Sequence, residues 1–282
     1  MRADLADLKE KQRRLAEILG RLDGLVVAFS GGVDSTFLLA AAKRVLGDRV
    51  AAVTAASPVH PGRETREAAA LAARIGAPHH IIASGEMRLP EFTANPPERC
   101  YVCKRHVLAE VFRAAEKLGI RHVAHGANAD DPDDYRPGLA AAAEMGALAP
   151  LLEAGLTKAE IRRLSRRMKL PTWNKPARAC LASRIPYGTP ITARALAMVE
   201  AAEEYLEGLG FALCRVRCHG EVARIELDPR GLKRLMRSPQ KADIVQRLRS
   251  IGFRHVALDL EGYVPGSLNR GLEPGVRGAA GA

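Results

Sequence analysis

The sequence predicts an α/β protein, a doubly wound and mostly parallel sheet followed by a smaller C-terminal α+β domain. Three observations carry this. A short apolar, β-branched segment from Gly24 to Phe29 (GLVVAF) runs straight into a glycine turn and then a helical pattern. Strand and helix patterns go on alternating as far as His125, the layout of βαβ units joined by right-handed crossovers. Beyond Thr192 the alternation gives way to a β-β-α-β order.

The elements follow in order. Leu5, Leu8, Leu15, Ile18 and Leu19 recur at helical spacing and mark a first helix. Gly24 to Phe29 is apolar at every side-chain position, as a strand covered on both faces must be. Next come a helix from Ser35 to Val45, a strand from Val50 to Ala55, a helix from Gly62 to Ile75 and a strand from His79 to Ile82. A helix from Cys103 to Leu118 and a strand from Arg121 to His125 complete the alternation, and ligands on such sheets bind at the carboxyl ends of the strands. Thr157-Lys158-Ala159-Glu160 is a capping box that opens a helix to Met168, where Pro171 stops it. Leu170 to Pro190 carries four prolines and the single Trp, and a loop of that length inside a compact protein marks function. A helix from Thr192 to Leu209, strands at Phe211 to Arg217 and Val222 to Leu227, a helix from Pro239 to Ser250 and a strand from His255 to Leu260 form the second unit. The expected domains are therefore 1–190 and 191–264, with a Gly- and Pro-rich tail, 265–282, expected to be disordered.

A chain of 282 residues, 47 % hydrophobic and 27 % charged, is neither collagen-like, mucin-like nor wholly disordered. No apolar run approaches the ~20 residues of a membrane span, and charges interrupt the first twenty residues, so the expectation is a cytoplasmic enzyme without a signal peptide or membrane partner. Forty-three basic against 32 acidic residues leave +11, which suits RNA or small phosphorylated ligands, but the basic residues are scattered. Five cysteines without a secretory signal point to metal, catalytic or buried thiols rather than to a disulfide framework.

Ser30-Gly31-Gly32-Val33-Asp34-Ser35-Thr36 lies between the first strand and the next helix. Its glycines allow close approach of the backbone to a phosphate, while the hydroxyls and the helix N-terminal N–H groups supply donors. Asp34 would repel phosphate unless Mg²⁺ intervenes or it caps the helix. A plain capped turn is the alternative reading. Gly126, Asn128 and Asp130 follow the fourth strand, where the fold brings them beside the same ligand, or they form an Asx-rich turn.

Cys100 and Cys103 stand three apart at the start of a helix, where the dipole and neighbouring cations favour thiolate. Cys180, in K-P-A-R-A-C-L-A-S-R-I-P-Y-G, has cations on both sides and reads as a nucleophile. Cys214 and Cys218 share one face of a strand and read as buried small residues. Arg215 and Arg217 point to the other face as a fork for a phosphate, or stand as solvated surface charges. Glu203 could meet that site as a metal ligand or an acid–base group, in competition with Glu200 and Glu204. His79, His80 and His125 have no ligand spacing and read as packing residues near strand ends.

The run S-G-G-V-D-S-T resembles the pyrophosphate loop of the PP-loop ATPases, which cleave ATP to AMP and pyrophosphate. It lacks the Gly-Lys-Ser/Thr ending of a Walker loop. Together with R-C-Y-V-C-K and A-C-L-A-S-R-I-P-Y-G it resembles the LarE family of ATP-dependent sulfur transferases, from about residue 5 to about residue 262. The resemblance implies Mg²⁺-dependent adenylation of a carboxylate of pyridinium-3,5-biscarboxylic acid mononucleotide, replacement of the activated oxygen by sulfur, and two such rounds in nickel-pincer nucleotide cofactor synthesis. Cys180 falls on the family's sulfur-donor position, with Ser183 and Arg184 beside it as substrate-binding residues. The sacrificial version leaves dehydroalanine there. Cys100, Cys103 and Cys180 together are also similar to the ligand set of cluster-dependent members, in which three thiolates hold a [4Fe–4S] cluster and an open iron carries sulfide. Both versions stay open at this point. The resemblance further implies a small-molecule nucleotide substrate, no nucleic acid, an oligomerising C-terminal module and hence a homo-oligomer, and pathway partners that supply substrate or sulfide. A PP-loop tRNA thiolase, an ATP-dependent amide ligase and a nucleotide-binding regulatory module are the rival readings.

Overall fold

The computed structural model describes residues 2–131, 137–176 and 179–271; Arg178 of the Cys180 segment and most of the expected tail lie outside them. The chain opens with α1 (Arg2–Gly20), β1 (Leu25–Ala28), α2 (Val33–Leu46), β2 (Val50–Ala56), α3 (Gly62–Ile75) and β3 (His79–Ala83). There follow α4 (Pro90–Thr93), α5 (Arg99–Lys117), β4 (Val123–Ala124), α6 (Pro137–Glu144), α7 (Pro150–Glu153) and α8 (Lys158–Arg167). The remainder is α9 (Ala193–Gly208), β5 (Cys214–His219), β6 (Val222–Leu227), α10 (Pro229–Arg237), α11 (Lys241–Ile251) and β7 (His255–Leu258).

Two compact units result, Met1–Glu86 with Cys100–Arg178, and Met87–Arg99 with Ala179–Val276. The first holds a sheet of order β3-β2-β1-β4, parallel at every pairing. Its alternate side chains feed two cores. Leu25, Val27, Val50 and Ala52 pack with Leu8, Leu15 and Leu19 of α1 and with Phe37 and Leu38 of α2. Val26, Ala51 and Val53 pack with Leu108, Val111 and Ala115 of α5. Both faces of the strands are covered, which is why β1 reads as an unbroken apolar run and β2 as one interrupted only by Thr54. Chain order reverses beside β1, whose neighbours are β2 and β4, so the crevice beyond the carboxyl ends of β1 and β4 is the topological switch point where open α/β sheets bind ligands.

In the second unit β5 pairs antiparallel with β6, and β6 pairs parallel with β7. Leu196, Val199, Ala202 and Leu206 of α9 are buried, as are Cys214, Val216 and Cys218 of β5. Burial pushes the Cys214 thiol up to about 12 and raises that of Cys218, so both are inert packing thiols at neutral pH.

The structure adds the short helices α4, α6 and α7 to the expected elements, starts β5 at Cys214 rather than Phe211, and differs further at three places. The helix expected from Cys103 starts at Arg99 and so takes in both thiols. Residues 229–237 form a helix that the sequence reading did not include. The Asp228 carboxylate caps that helix by accepting from the Gly231 amide at 2.9 Å, and a Cβ on residue 231 would stand 2.7 Å from the same carboxylate oxygen. Within the expected tail, Ser267–Gly271 makes a 3-10 turn, and its Asn269 meets the Tyr187 hydroxyl at 3.1 Å.

Candidate functional site

In the first unit β1 ends at Ala28 and α2 begins at Val33, leaving Phe29 to Gly32 as the turn. Gly31 has φ +66, and a Cβ there would press on Ala68 of α3 at 3.3 Å, so only glycine fits without strain. Ser30 Oγ and Ser35 Oγ stand 3.0 Å apart and the Gly32 amide donates to Ser30 Oγ, which closes the loop on itself. Gly126 packs against this turn: an added Cβ would stand 2.9 Å from the Ser35 nitrogen and 3.1 Å from the Asp34 Cβ. The expected neighbourhood of the two glycine segments is therefore present. Asn128 Oδ1 accepts from the Asp130 amide at 3.0 Å, and Asp130 Oδ2 accepts from the Lys158 amide at 2.9 Å.

Two polar atoms in the loop's helical end are buried and lack a hydrogen-bond partner, Asp34 Oδ1 and Thr36 Oγ1. A buried, orphaned carboxylate oxygen beside a phosphate-type loop fits a metal-bound nucleotide, with Asp34 toward Mg²⁺ and the loop amides toward phosphate. Two lysines that the sequence reading passed over complete the surroundings. Lys158, in the first turn of α8, forms an ion pair with Asp34. Lys175 donates to the Gly31 carbonyl at 3.1 Å and to Glu67 at 2.9 Å. Lys158 is the second residue of the capping box and Lys175 opens the K-P-A-R run, so their only sequence signal was membership of motifs singled out for other reasons.

Deeper at the carboxyl edge, Glu86 is fully buried and accepts from the hydroxyls of Ser57 and Ser84. Burial, with the neighbouring Lys104 charge, lowers His125 to about 4, so its ring is neutral at pH 7. Burial lowers the Lys104 ammonium as well. His79 opens β3 and its Nε2 meets Thr54 Oγ1 at 2.7 Å, a packing role.

In the second unit Cys180 is half-buried and precedes the 3-10 turn Leu181–Arg184. Its carbonyl accepts from the Ser183 amide at 3.0 Å, the Ser183 hydroxyl at 2.7 Å and Arg184 Nη1 at 3.0 Å. Arg184 is in turn held by Glu203, Nε to Oε1 at 2.9 Å and Nη2 to Oε2 at 3.0 Å. Glu203 Oε1 also accepts from the Val216 amide at 3.0 Å. Of the three competing glutamates only Glu203 is buried. Both its oxygens are engaged, so it holds Arg184 rather than standing free as a metal ligand or acid–base group. Arg184 likewise serves the Cys180 turn, where a substrate contact was expected.

The two arginines of β5 part company. Arg217 makes two hydrogen bonds of 2.9 Å with the buried Glu226 and donates to the Ser183 carbonyl at 2.6 Å, so its guanidinium is occupied and the expected two-arginine fork does not form. Arg215 donates to the Cys214 carbonyl at 2.7 Å and lies over the Tyr263 ring at 5.1 Å. Burial, then the like charge of Arg184, lowers the pKa of its guanidinium. Glu226 was missed, although a Glu two residues from Arg224 in an apolar strand is a signal for a buried cation opposite; in the observed register it lies across from Arg215 and diagonal to Arg217.

Cys100 is exposed and Cys103 half-buried, both in the first turn of α5 in the first unit, whereas Cys180 belongs to the second. Among the described residues no three His, Cys, Asp or Glu side chains are grouped to hold a metal ion. No helix among the described residues is long and apolar enough to cross a membrane.

Comparison with known proteins agrees with this geometry. The asparagine synthase family profile matches residues 24–97, which begin just ahead of β1 and include the loop. An uncharacterized protein of Synechocystis sp. is 43 % identical over 94 % of this chain and 99 % of its own length. The pyridinium-3,5-bisthiocarboxylic acid mononucleotide synthase of Lactiplantibacillus plantarum is 38 % identical over 94 % of this chain and 96 % of its own. The chain belongs to the LarE family. An uncharacterized protein of Methanocaldococcus jannaschii is a more distant relative, 26 % identical over 85 % of this chain and 90 % of its own. As a LarE protein the chain is an ATP-dependent enzyme, and its first unit is the PP-loop domain that uses the nucleotide.

Proposed function

We propose that this LarE protein adenylates the carboxylates of pyridinium-3,5-biscarboxylic acid mononucleotide and converts them to thiocarboxylates, with Cys180 as the sulfur donor. The observation that carries the nucleotide step is the loop Ser30–Thr36, with its left-handed Gly31 and the unpartnered Asp34 Oδ1 and Thr36 Oγ1. A substrate carboxylate oxygen attacks the α-phosphorus of ATP and pyrophosphate leaves. The loop amides and Ser35 stabilise charge on the leaving group, and Asp34 would hold a Mg²⁺, which would supply neutralising positive charge there. Preorganised donors aimed at developing charge are the largest catalytic contribution to be expected of such a site.

The Cys180 sulfur then attacks the acyl carbon and AMP departs, which leaves a thioester between protein and substrate. Loss of the Cys180 α-proton and cleavage of its Cβ–Sγ bond release the thiocarboxylate and leave dehydroalanine, so atoms balance without an external sulfur source. Three donors on the Cys180 carbonyl fix the turn for this chemistry. Arg215, the β5 cation with no carboxylate bonded to it, takes the mononucleotide phosphate; its hydrogen bond to Cys214 and its stacking on Tyr263 orient it.

The test is intact mass and product analysis with ATP, Mg²⁺ and the dicarboxylate mononucleotide. Pyrophosphate and AMP are expected with loss of one sulfur and two hydrogens from the protein, and Cys180→Ala keeps adenylation while losing thiocarboxylate. Absence of substrate-dependent pyrophosphate overturns the reading. The exposed Cys100 and its neighbour Cys103 favour a second reading of the sulfur source. A brown, iron-containing protein whose mass stays unchanged through several turnovers would assign the sulfur to a cluster on Cys100, Cys103 and Cys180.

A further inference from the structure

We propose that Arg99 is a positioning residue for sulfur transfer: it fixes the Asn95 side chain, and through it the segment 185–189, so that the turn bearing Cys180 holds one geometry while the thioester forms and breaks. This role rests on the reading of Cys180 as the sulfur donor. What singles Arg99 out is that its placement works against stability. It is 2 % exposed and opens α5, a helix with no acidic residue in its first turn, where the dipole disfavours a cation. Arg184 and Arg217, buried in the same unit, each face a carboxylate. Arg99 faces none. Among the described residues its guanidinium donates only to Asn95 Oδ1, at 2.6 Å, and lies over the Tyr187 ring at 4.4 Å, while its Nε is buried without a partner. A buried cation without a counter-charge destabilises a fold, and a broken rule of that kind marks a place where something other than stability is served.

What it serves is visible in its two partners. Asn95 Nδ2 donates to the carbonyls of Pro186 at 2.7 Å, Thr189 at 2.8 Å and Ile185 at 3.4 Å, and the Asn95 carbonyl accepts from the Gly188 amide at 3.0 Å. Three carbonyls demand the nitrogen end of the side-chain amide. Turned over, Asn95 would set its oxygen against theirs, and the Arg99 donor on Oδ1 holds the orientation that avoids this. Tyr187, the ring beside the guanidinium, belongs to the same segment, so Arg99 grips it by an amide and by a ring. The segment continues directly from the Leu181–Arg184 turn that Cys180 opens, and the Ile185 amide donates back to the Ala182 carbonyl at 3.1 Å. Attack on an acyl carbon tolerates little misplacement, about 1 Å costing ~10²-fold in rate. A hold on the residues that follow Cys180 therefore bears on the rate of sulfur transfer and not on substrate affinity.

The experiment compares the full wild-type chain with Arg99→Met in a single turnover with ATP, Mg²⁺ and the dicarboxylate mononucleotide. Arg99→Met strands one amide oxygen but relieves a buried charge, so the variant is expected to stay folded at the assay temperature. Substrate-dependent pyrophosphate release is expected unchanged, while the rate of thiocarboxylate formation falls about tenfold to a hundredfold at an unchanged half-saturating mononucleotide concentration. The Gly188 amide is expected to exchange hydrogen faster. Arg99→Lys, with the charge but not the planar fork, recovers part of the rate. A wild-type rate in Arg99→Met overturns the proposal, as does a loss that tracks the unfolded fraction or that appears as a raised half-saturating concentration. Tyr187→Leu, which removes the ring partner, repeats the test should Arg99→Met not fold. A wild-type chain that forms thiocarboxylate with Cys180 intact, or forms none, overturns the reading of Cys180 instead, and exchange at Gly188 then still decides whether Arg99 holds the segment.

Discussion

Removing the Glu203 carboxylate tests whether the Cys180 turn is held by one buried ion pair. Glu203 accepts three hydrogen bonds, two from Arg184 and one from the Val216 amide, and the paired side chains are only 4 % and 5 % exposed. In Glu203→Ala the Arg184 guanidinium stays buried without its counter-charge, with the Arg215 cation nearby. Breaking one side of such a pair costs about 3–5 kcal/mol, a large share of the ~5–15 kcal/mol that holds a domain folded. The lower figure alone raises the unfolded fraction by roughly two orders of magnitude. Glu203→Gln keeps an acceptor for Val216 and costs less. In Arg184→Met/Glu203→Leu both charges go and stability returns most of the way, because apolar replacement of a buried pair is close to neutral. Urea unfolding with hydrogen exchange at the β5 amides reads these proteins together with the two single parents, Arg184→Met and Glu203→Leu. A Glu203→Ala cost below about 1 kcal/mol, or a double variant as unstable as the sum of its parents, would refute the reasoning.

Four further outcomes are expected. Gly126→Ala drives a methyl into the Ser35 amide at 2.9 Å, so ATP affinity falls sharply while stability drops by about 1–3 kcal/mol, checked by calorimetry and thermal melts. His125 is lowered from 6.5 to about 4 in the folded chain, so the unfolded chain binds the proton first as pH falls. Stability is therefore lost between pH 6.5 and 4, by about 3 kcal/mol, and levels off below; His125→Gln should remove about one proton from the slope of acid unfolding. Arg215→Met leaves the melt near wild type and raises KM for the mononucleotide about tenfold or more, whereas Arg217→Met takes two hydrogen bonds from the buried Glu226, leaves it only Arg224 at 3.0 Å, and costs about 1–3 kcal/mol of stability. Lys175→Met removes the bonds to the Gly31 carbonyl and Glu67, with pyrophosphate release slowed and the fold retained, as stopped-flow pyrophosphate detection would show.

Much of the nucleotide unit was legible because its signals are local. An apolar strand, two glycines and a capping box each depend on neighbours in sequence, and β1, the loop and α8 fall where those patterns put them. The partners of the charged residues depend on pairings across the fold. Nothing adjacent to Arg217 announces Glu226, because the contact runs diagonally between two strands whose register only folding sets. Lys158 was visible as a letter in a cap and not as the partner of Asp34, 124 residues away. The start of α10 was not legible either, because a glycine, which weakens helices in general, is here the residue that lets Asp228 cap it.

Asn95 has a consequence for the order in which the molecule is made. It is fully buried with φ +60, and its side-chain amide donates to the carbonyls of Pro186 and Thr189 at 2.7 and 2.8 Å and to Ile185 at 3.4 Å, across as many as 94 residues of sequence. A ribosome adding ~5–20 residues per second delivers those carbonyls roughly 5–20 s after Asn95. During that interval residues 100–176 are synthesised, and with them everything the nucleotide unit needs to close. The second unit therefore closes late, reaching back to a segment made long before its partners.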